Sequence, residues 1–252
     1  MWTLDARHSV PHWRPATARA GAVLAFSTRR GGVSAAHFES LNLGRSTEDA
    51  PEAVTENRAR LLTALGLSPA ALATAGQVHG ARVVEVTAPG HQPECDALVS
   101  RVPGLALAVT TADCMSLLYE APGAVASAHA GWRGTADGMP GAALAALCAL
   151  SGCGPEHVHV HIGPCIRGCC YEVGDEVASR FPAPALRPTD GRPRLDLPTA
   201  ARLALELAGV PRASIHDTGA CSACEPAWYF SHRRDQGRTG RLWGVAAVRP
   251  GA

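Results

Sequence analysis

The sequence contains no lysine, and all 23 of its basic side chains are therefore arginines. The formal net charge is only +1 at pH 7. A charge so close to zero gives no electrostatic reason to expect nucleic acid or an anionic membrane surface as a partner. A guanidinium group can bind phosphate or carboxylate through two parallel hydrogen bonds, but genome composition is the simpler explanation for this arginine bias.

Long apolar runs are also missing from the sequence. No stretch approaches the roughly 18 residues that suggest a transmembrane helix, and residues 1–8 lack the basic-then-apolar pattern of a signal peptide. We therefore predict a cytoplasmic protein that does not associate with a membrane. In a reducing compartment its nine cysteines, an odd number, are expected to be thiols, metal ligands or nucleophiles rather than disulfides.

Common nucleotide-binding fingerprints are absent as well. The chain has neither a P-loop nor a Gly-x-Gly-x-x-Gly motif, so a standard triphosphate or dinucleotide fold is unsupported. The segment Thr28-Arg29-Arg30-Gly31-Gly32-Val33-Ser34 could form an anion cradle, because paired glycines let backbone N–H groups approach a ligand. On local evidence alone, a hairpin turn with exposed arginines is the preferred interpretation of this segment.

The pattern of apolar residues predicts more strands than helices. Asp49 and Asp196 are expected to cap the first and last helices, and Gly152 to end the second. Residues 182–193 are expected to form a proline-rich loop. The predicted helices cover residues 48–65, 142–150, 173–181 and 198–207; the predicted strands cover 22–26, 82–86, 96–100, 105–110, 115–119, 124–128, 157–162, 214–216 and 242–248. This order favours a mixed α/β (α+β) fold in a single domain over residues 1–252.

One thiol and two imidazoles lie at or beside the ends of these strands. Cys114 and His129 are placed to face each other across a hairpin, and His79 lies just before the strand over 82–86. Two imidazoles and one thiolate satisfy three positions of a tetrahedral zinc ion, and the fourth position can hold water. We therefore predict that these three residues converge on one metal ion, although each alone is more often an ordinary core residue.

Two other groups of potential ligands compete with this one. His157, His159 and His161 alternate along a predicted strand, and the preferred interpretation is a half-buried strand whose histidines face water. Cys221 and Cys224 form a single C-x-x-C pair, which is a weak signal alone. The pair alone could be a redox pair, half a zinc site or two buried thiols. Together with three other cysteines nearby in the sequence it could form a four-cysteine structural zinc site, but buried or loop thiols are preferred. These three are Cys165, Cys169 and Cys170.

A series of motifs then runs in order along roughly residues 20–248. It consists of residues 28–34 above, Leu41-Asn42-Leu43-Gly44, Gln77-Val78-His79-Gly80, Ala112-Asp113-Cys114, His129-Ala130-Gly131-Trp132-Arg133-Gly134, Ile162-Gly163-Pro164-Cys165, Cys170-Tyr171-Glu172-Val173 and Phe230-Ser231-His232-Arg233-Arg234-Asp235. The series closely resembles the YfiH-like laccase-domain family, whose members have been called multicopper polyphenol oxidoreductases and purine nucleoside phosphorylases. His232 departs from the tyrosine expected at that position. Pro198 and Thr199, which follow Leu195-Asp196-Leu197, depart from the Trp or Lys and the Ala that the family more often has there.

The resemblance implies layered sheets flanked by helices, with zinc held by His79, Cys114 and His129. It also implies phosphorolysis of adenosine, inosine and methylthioadenosine, and deamination of adenosine. Nucleosides and phosphate are then the expected partners. The candidate catalytic residues are Cys114, His79 and Asp113. Of these, Asp113 could move a proton or orient a ligand. The candidate substrate-binding residues are Thr28, Arg29, Gly31, Gly32, Asn42, Gln77 and Arg133.

Three other functions remain open. A copper-dependent polyphenol oxidase ranks second: Cu2+ could replace zinc at the same ligands, although the histidines needed for a four-copper oxidase are missing. Some relatives are associated with editing of cell-wall precursors. A non-enzymatic, zinc-stabilised binding module is the third alternative. The sequence does not indicate an oligomeric state.

Overall fold

The computed structural model describes residues 1–16 and 21–250, so six residues of the predicted domain 1–252 lie outside the described residues. Fifteen strands are present in this part of the chain. In chain order they are β1 (Trp2–Asp5), β2 (His12–Pro15), β3 (Ala22–Ser27), β4 (Leu72–Ala75), β5 (Val83–Glu85), β6 (Gly90–Gln92), β7 (Ala97–Ser100), β8 (Ala106–Thr111), β9 (Met115–Ala121), β10 (Ala124–Ala130), β11 (His159–Ile162), β12 (Leu186–Arg187), β13 (Arg194–Leu195), β14 (Ile215–Asp217) and β15 (Leu242–Val248).

The same residues contain five α-helices and three short 3-10 helices. The α-helices are α1 (Pro51–Ala64), α2 (Trp132–Ala136), α3 (Met139–Ser151), α4 (Asp175–Ala178) and α5 (Leu197–Leu207). The 3-10 helices cover Pro155–His157, Ala183–Ala185 and Arg212–Ser214. No described helix is both long and apolar enough to cross a membrane.

Thirteen of the described strands form two mixed sheets that pack face to face between layers of helices, and β12 and β13 form a separate two-stranded sheet. The first sheet has the order β1-β2-β3-β15-β8-β4-β6, and the second has the order β14-β11-β9-β10-β7-β5. Strand β15 shows how side chains are shared between layers, since Ala246 and Val248 pack between the sheets while Trp243 and Val245 pack towards α1. The helices α3 and α5 cover the outer face of the second sheet. The predicted mixed α/β fold with layered sheets is confirmed.

The helix predictions were mostly correct, with one wrong cap. Helix α5 begins after Asp196, whose side chain accepts a hydrogen bond from the Thr199 N–H, and α3 ends at Gly152, which has a φ of 73°. The N-cap of α1 is Ala50 and not Asp49. The Asp49 carboxylate instead accepts hydrogen bonds from Ser34 Oγ at 2.6 Å and Asn42 Nδ2 at 2.9 Å, because these neighbours offer it stronger partners than the helix terminus.

Three other segments differ from their predictions. The helix predicted over 173–181 contains a single turn, α4, and the loop predicted over 182–193 contains strand β12, which pairs with β13. The strand predicted over 157–162 begins only at His159, because the 3-10 helix Pro155–His157 occupies its start. Strands β1, β2, β4 and β6 were not predicted.

The chain passes from the first sheet to the second at three places, which lie between β4 and β5, between β6 and β7, and between β8 and β9. The first of these crossings carries His79 and the third carries Cys114, and these two lie close together. Strand β10 pairs with β9 as the predicted antiparallel hairpin and ends beside this junction, where it presents His129.

Candidate metal centre

The structure brings the three predicted ligands together at this junction. One ligand atom each from His79, Cys114 and His129 lies within 4.8 Å of the other two. The two imidazole rings meet edge to face, with centroids 4.9 Å apart and an interplanar angle of 88°. His129 is buried, Cys114 is half-buried and His79 is exposed, so the cluster opens to one side.

A buried carboxylate that sequence reasoning missed holds this cluster in place. Asp96 is 0% exposed, and its Oδ1 lies 2.8 Å from Nδ1 of His129. The same carboxylate accepts hydrogen bonds from the backbone N–H groups of Val78, His79 and Gly80 at 3.0, 2.9 and 2.9 Å. Because Nδ1 of His129 is used in this way, Nε2 is left to face a metal, which is the usual arrangement behind a histidine ligand.

The loop that carries His79 has an unusual backbone conformation. Gln77 and His79 have φ angles of 54° and 63° in the left-handed region, which is uncommon for residues other than glycine. The side chain of Gln77 pairs with the backbone of Thr110 on β8, donating to its carbonyl at 2.6 Å and accepting from its N–H at 2.8 Å. Together with the Asp96 contacts, this pairing fixes the loop against both sheets.

Two glycines permit the close approach of this loop to the start of α2. A Cβ atom at Gly131 would lie 3.0 Å from the Cys114 sulfur and 3.3 Å from Cδ2 of His79. A Cβ atom at Gly134 would lie 2.7 Å from the carbonyl oxygen of Gly80. The glycines of this motif therefore serve close packing around the ligands.

The electrostatics of the cluster favour the thiolate that a metal requires. Burial raises the pKa of the Cys114 thiol, but the charge of His129 and hydrogen bonds from both imidazoles outweigh burial and lower the pKa to about 6. Burial lowers the pKa of His129, but Cys114 and Asp96 favour the imidazolium and raise the pKa to about 9. Metal binding would therefore release the His129 proton, since only the neutral ring is a ligand.

The cluster lies at the wall of a cavity of about 810 Å3. This volume falls within the roughly 300–1,000 Å3 that is typical of small-molecule sites. The lining is Arg45, Ser46, Arg58, Thr74, Ala75, Gly76, Gln77, His79, His91, Thr110, Thr111, Ala112, Cys114, His129, His232 and Arg241. It combines the three metal-ligand candidates with three guanidinium groups.

The guanidinium groups of Arg58 and Arg241 are fixed by neutral partners. Arg58 donates from Nε and Nη2 to the Leu43 carbonyl at 2.8 and 2.6 Å, and Nη1 of Arg241 donates to the carbonyls of Thr239 and Gly240 at 2.7 and 3.1 Å. Burial, assisted by the charge of Arg45, lowers the pKa of Arg58 to about 10. Bonds to carbonyls leave the positive charge in place, so this wall of the cavity suits an anion.

The predicted substrate-binding residues, apart from Gln77, do not line this cavity in the described part of the chain. Thr28 is buried and donates to the Pro11 carbonyl at 2.7 Å. The Arg29 guanidinium donates to the carbonyls of Glu39 and Pro226 at 2.8 and 3.0 Å and lies 4.6 Å from the centroid of the Phe230 ring. The structure thus places this arginine on protein carbonyls.

Gly31 and Gly32 are sites of tight packing in the same loop. Gly31 has a φ of 93°, and a Cβ there would lie 2.6 Å from the Ser9 carbonyl oxygen. The N–H of Gly32 donates to Ser40 Oγ at 3.1 Å. The Gly32 amide is therefore engaged within the protein. The remaining candidate, Arg133, is exposed, and its guanidinium lies 4.6 Å from the ring centroid of its neighbour Trp132.

Asn42 and Asp113 act on neighbouring loops and do not belong to the donor cluster. The buried Asn42 accepts a hydrogen bond from the Arg241 N–H at 2.8 Å, so it helps to position one of the cavity arginines. The Asp113 carboxylate accepts from Ser222 Oγ at 2.6 Å and from the Arg233 N–H at 2.7 Å. Both oxygens of Asp113 thus tie the C-terminal region to the residue that precedes Cys114.

The rival histidine strand differs from its prediction. His161 is only 4% exposed, so the expectation that these histidines face water is wrong for this residue. The rings of His159 and His161 stack against His216 with centroids 5.5 and 4.9 Å apart, because the adjacent strand β14 places a third histidine between them. His157 lies in the preceding 3-10 helix.

These observations define an α/β protein with two packed mixed sheets. It carries a candidate metal centre of two histidines and one cysteine beside an arginine-lined cavity. The chain belongs to the family described as multi-copper polyphenol oxidoreductase laccase, whose model matches residues 23–249. This match confirms the family predicted from the ordered motifs.

The relatives support both the family and the fold. The chain is 45% identical over 230 residues to a purine nucleoside phosphorylase of Deinococcus radiodurans, with 89% of this chain and 88% of that protein covered. The structure matches YlmD from Geobacillus stearothermophilus with a TM-score of 0.92 and 36% identity, covering 98% of both chains. It matches the Bacillus licheniformis protein YfiH with a TM-score of 0.91 and 30% identity, covering 98% of this chain and 99% of that chain.

Proposed function

We propose that this protein is a zinc-dependent purine nucleoside phosphorylase whose catalytic metal centre is formed by His79, Cys114 and His129. The observation that carries the proposal is the cluster of three donor atoms within 4.8 Å, open to a cavity with three arginines on its wall. Relatives that are named purine nucleoside phosphorylases support the choice of substrate class.

The donor set fits zinc. Two imidazoles and one thiolate are borderline-soft ligands, and three protein ligands leave one position for water or substrate, as in catalytic zinc sites. The thiolate of Cys114 and the orientation of His129 by Asp96 both favour zinc binding before substrate arrives. When bound, zinc supplies a Lewis acid and lowers the pKa of a bound water towards about 7.

The arginine wall supplies the second requirement of phosphorolysis. In this reaction a phosphate oxygen forms a bond to C1′ of the sugar while the C1′–N9 bond breaks, and the purine leaves with the electron pair and takes up a proton. Arg45, Arg58 and Arg241 bind and orient the phosphate, because guanidinium groups match phosphate oxygens in charge and geometry. Gln77 remains a substrate-side candidate because it lines the same cavity, and Asp113 acts as a positioning residue.

The proposed substrates are adenosine, inosine and methylthioadenosine, and adenosine is also deaminated. In deamination, water adds at C6 of the adenine ring and ammonia leaves, giving inosine.

The test is the product profile of purified, zinc-replete protein with and without phosphate. Adenosine should give inosine without phosphate, and adenine plus ribose-1-phosphate with phosphate. A His79→Ala variant should keep the thermal unfolding midpoint within a few degrees and lose both activities, because His79 is exposed and acts as a ligand. No turnover of any purine nucleoside by the zinc-replete protein would overturn the proposal, and unfolding of the His79→Ala variant would favour a structural zinc site.

A copper-dependent polyphenol oxidase is the second candidate, favoured by the description of the family as multi-copper polyphenol oxidoreductases and by a donor set that also accepts copper. Phenol oxidation should then require copper loading and be abolished by Cys114→Ala. Copper-loaded protein that oxidises phenols at ordinary enzymatic rates, combined with zinc-loaded protein that ignores nucleosides, would reverse the order of the two candidates.

A further inference from the structure

A second group of potential metal ligands lies outside the centre described above. One sulfur atom each from Cys169, Cys170, Cys221 and Cys224 lies within 4.8 Å of the other three. Three of the sulfur pairs are close: Cys170–Cys224 at 3.2 Å, Cys169–Cys221 at 3.5 Å and Cys169–Cys224 at 3.6 Å. The sequence favoured separate buried or loop thiols, but folding brings these four together from segments more than 50 residues apart.

The sulfur distances match a closed zinc centre. Zinc–sulfur bonds of about 2.3 Å in a tetrahedron place the sulfur atoms about 3.8 Å apart. The three close separations of 3.2, 3.5 and 3.6 Å are slightly shorter than this value, and a small outward movement of the thiols would admit the ion. Structural zinc sites are usually formed by four cysteine thiolates or by a combination of cysteine and histidine.

The backbone holds the two cysteine pairs against each other before any ion binds. Residues 165 and 221 form a parallel β-bridge, and the Ser222 N–H donates to the Cys165 carbonyl at 3.0 Å. Cys169 and Cys170 follow in a turn closed by the hydrogen bond from the Cys170 N–H to the Arg167 carbonyl at 2.8 Å. Buried Cys165 thus joins the two loops through its backbone and is not one of the four clustered thiols.

One sulfur of the group already accepts backbone hydrogen bonds. The backbone N–H groups of Cys224 and Arg167 donate hydrogen bonds to the Cys221 sulfur. Such bonds stabilise a thiolate. Two arginines bind carbonyls of the same loops, Arg194 at Cys169 and Arg234 at Ser222, at 3.0 and 2.8 Å. Arg234 also pairs with Asp235 at 2.7 Å, so Arg194 is the one of the two that adds positive charge beside the thiols.

We propose that Cys169, Cys170, Cys221 and Cys224 bind one Zn2+ as a closed structural centre, separate from the three-ligand centre. Each thiol that is protonated beforehand releases its proton to solvent when it binds, and no oxidation is involved. The ion fastens two loops that both contact Asp113, through the Ser222 hydroxyl at 2.6 Å and the Ile166 N–H at 2.9 Å. The structural centre thus supports the residue next to Cys114.

The competing state is a disulfide, most readily between Cys170 and Cys224. Forming it would remove two thiols from the donor set and would require an oxidant. The two states differ in metal content and in the mass of the chain, so they can be separated directly.

The experiment is native mass spectrometry of the full chain saturated with Zn2+ under reducing conditions. The wild-type protein should bind two zinc ions, and the Cys170→Ser/Cys224→Ser variant should bind one. The matched control is Cys148→Ser/Cys153→Ser, which removes two cysteines outside the group and should still bind two. The His79→Ala/His129→Ala variant should bind one, and Co2+ in that variant should give the absorption spectrum of four-thiolate coordination.

A measurement on the unmutated protein covers the case in which the cysteine variant does not fold. Zinc should protect all four clustered cysteines from alkylation while Cys153 continues to react, as mapped by peptide mass. A wild-type chain that binds only one zinc ion at saturation would overturn the proposal. So would a second ion that survives in the Cys170→Ser/Cys224→Ser variant, or a Cys170–Cys224 disulfide in the reduced, zinc-saturated protein.

Discussion

At the scale of single residues, Asp96 is the side chain on which the candidate metal centre most depends. It is fully buried and accepts four hydrogen bonds, three from the His79 loop and one from His129. Burial raises its pKa, but the bonds from His129 and the backbone amides outweigh burial and hold the pKa below its usual value of 3.8. The carboxylate therefore stabilises the folded protein and orients a ligand at the same time.

Replacing Asp96 by Asn should remove part of this support, because the amide NH2 group cannot accept a hydrogen bond. We expect Asp96→Asn to lower the free energy of unfolding by about 2–4 kcal/mol and to weaken zinc binding at Cys114 by roughly 10–100-fold. Urea denaturation of the metal-free protein and the zinc concentration that protects Cys114 from alkylation measure the two effects.

A control substitution and the pH dependence of stability both test the role of Asp96. Asp137→Asn, at an exposed ion pair with Arg180, should change stability by less than about 1 kcal/mol. Because the folded-state pKa of Asp96 is depressed, its contribution is present above pH 3.8 and is lost as pH falls through the folded-state pKa. A stability difference between wild type and Asp96→Asn that stayed constant down to pH 2 would contradict this assignment.

At the scale of elements, the start of α2 is shaped by the ligands beside it. Gly131 has φ and ψ angles of −75° and −177°, which alanine adopts without strain, so a substitution there tests packing alone. The new Cβ would meet the Cys114 sulfur at 3.0 Å. We expect Gly131→Ala to displace this sulfur and weaken zinc protection of Cys114, while the free energy of unfolding falls by only about 1–2 kcal/mol.

Gly141→Ala is the matched control because a Cβ there meets no atom within 4 Å. In the interior of α3 this change should stabilise the protein by about 0.5–1 kcal/mol and leave zinc protection unchanged. Equal zinc protection of Cys114 in the two alanine variants would show that the close contact at Gly131 has no functional consequence.

The elements that could be predicted from sequence are those with long apolar runs. Strands β8, β9, β10 and β15 are buried almost throughout, and each appears as an apolar segment. Strand β6 has the sequence Gly-His-Gln and is mostly exposed, so no periodicity reveals it; it forms because β4 offers a parallel edge. The apolar residues of segment 173–181 indicated a helix, but Val173 and Phe181 pack on the core from outside the single turn of α4.

Like the fold, the candidate site could be predicted only in part from the sequence. His79, Cys114 and His129 could be named because the ordered family motifs added to their position at or beside strand ends, although each alone is more often an ordinary core residue. Asp96 resembled any polar residue at the start of a strand, and the arginine wall comes from segments that meet only in the folded chain. The Arg29 guanidinium donates to protein carbonyls outside this cavity, and its role in substrate binding stays a prediction.

At the scale of the whole molecule, the metal centre depends on how the two sheets sit on each other. The loop with His79 and the turn with Cys114 each join one sheet to the other, whereas His129 belongs to the second sheet alone. Leu118 lies between the sheets, and its Cδ2 would be 3.3 Å from a Cβ at Gly244 on the opposite sheet. Leu205 is equally buried but belongs to α5, which packs on the outer face of the second sheet.

Leu118→Ala and Leu205→Ala should therefore cost similar free energies of unfolding, about 2–5 kcal/mol each, but differ in metal binding. Removing Leu118 loosens the contact between the sheets, so a higher zinc concentration should be needed to protect Cys114 from alkylation. Removing Leu205 leaves that contact intact, and zinc protection should remain at the wild-type level while the protein is folded. If zinc protection fell equally in both variants, the centre would respond to overall stability and not to the packing between the sheets.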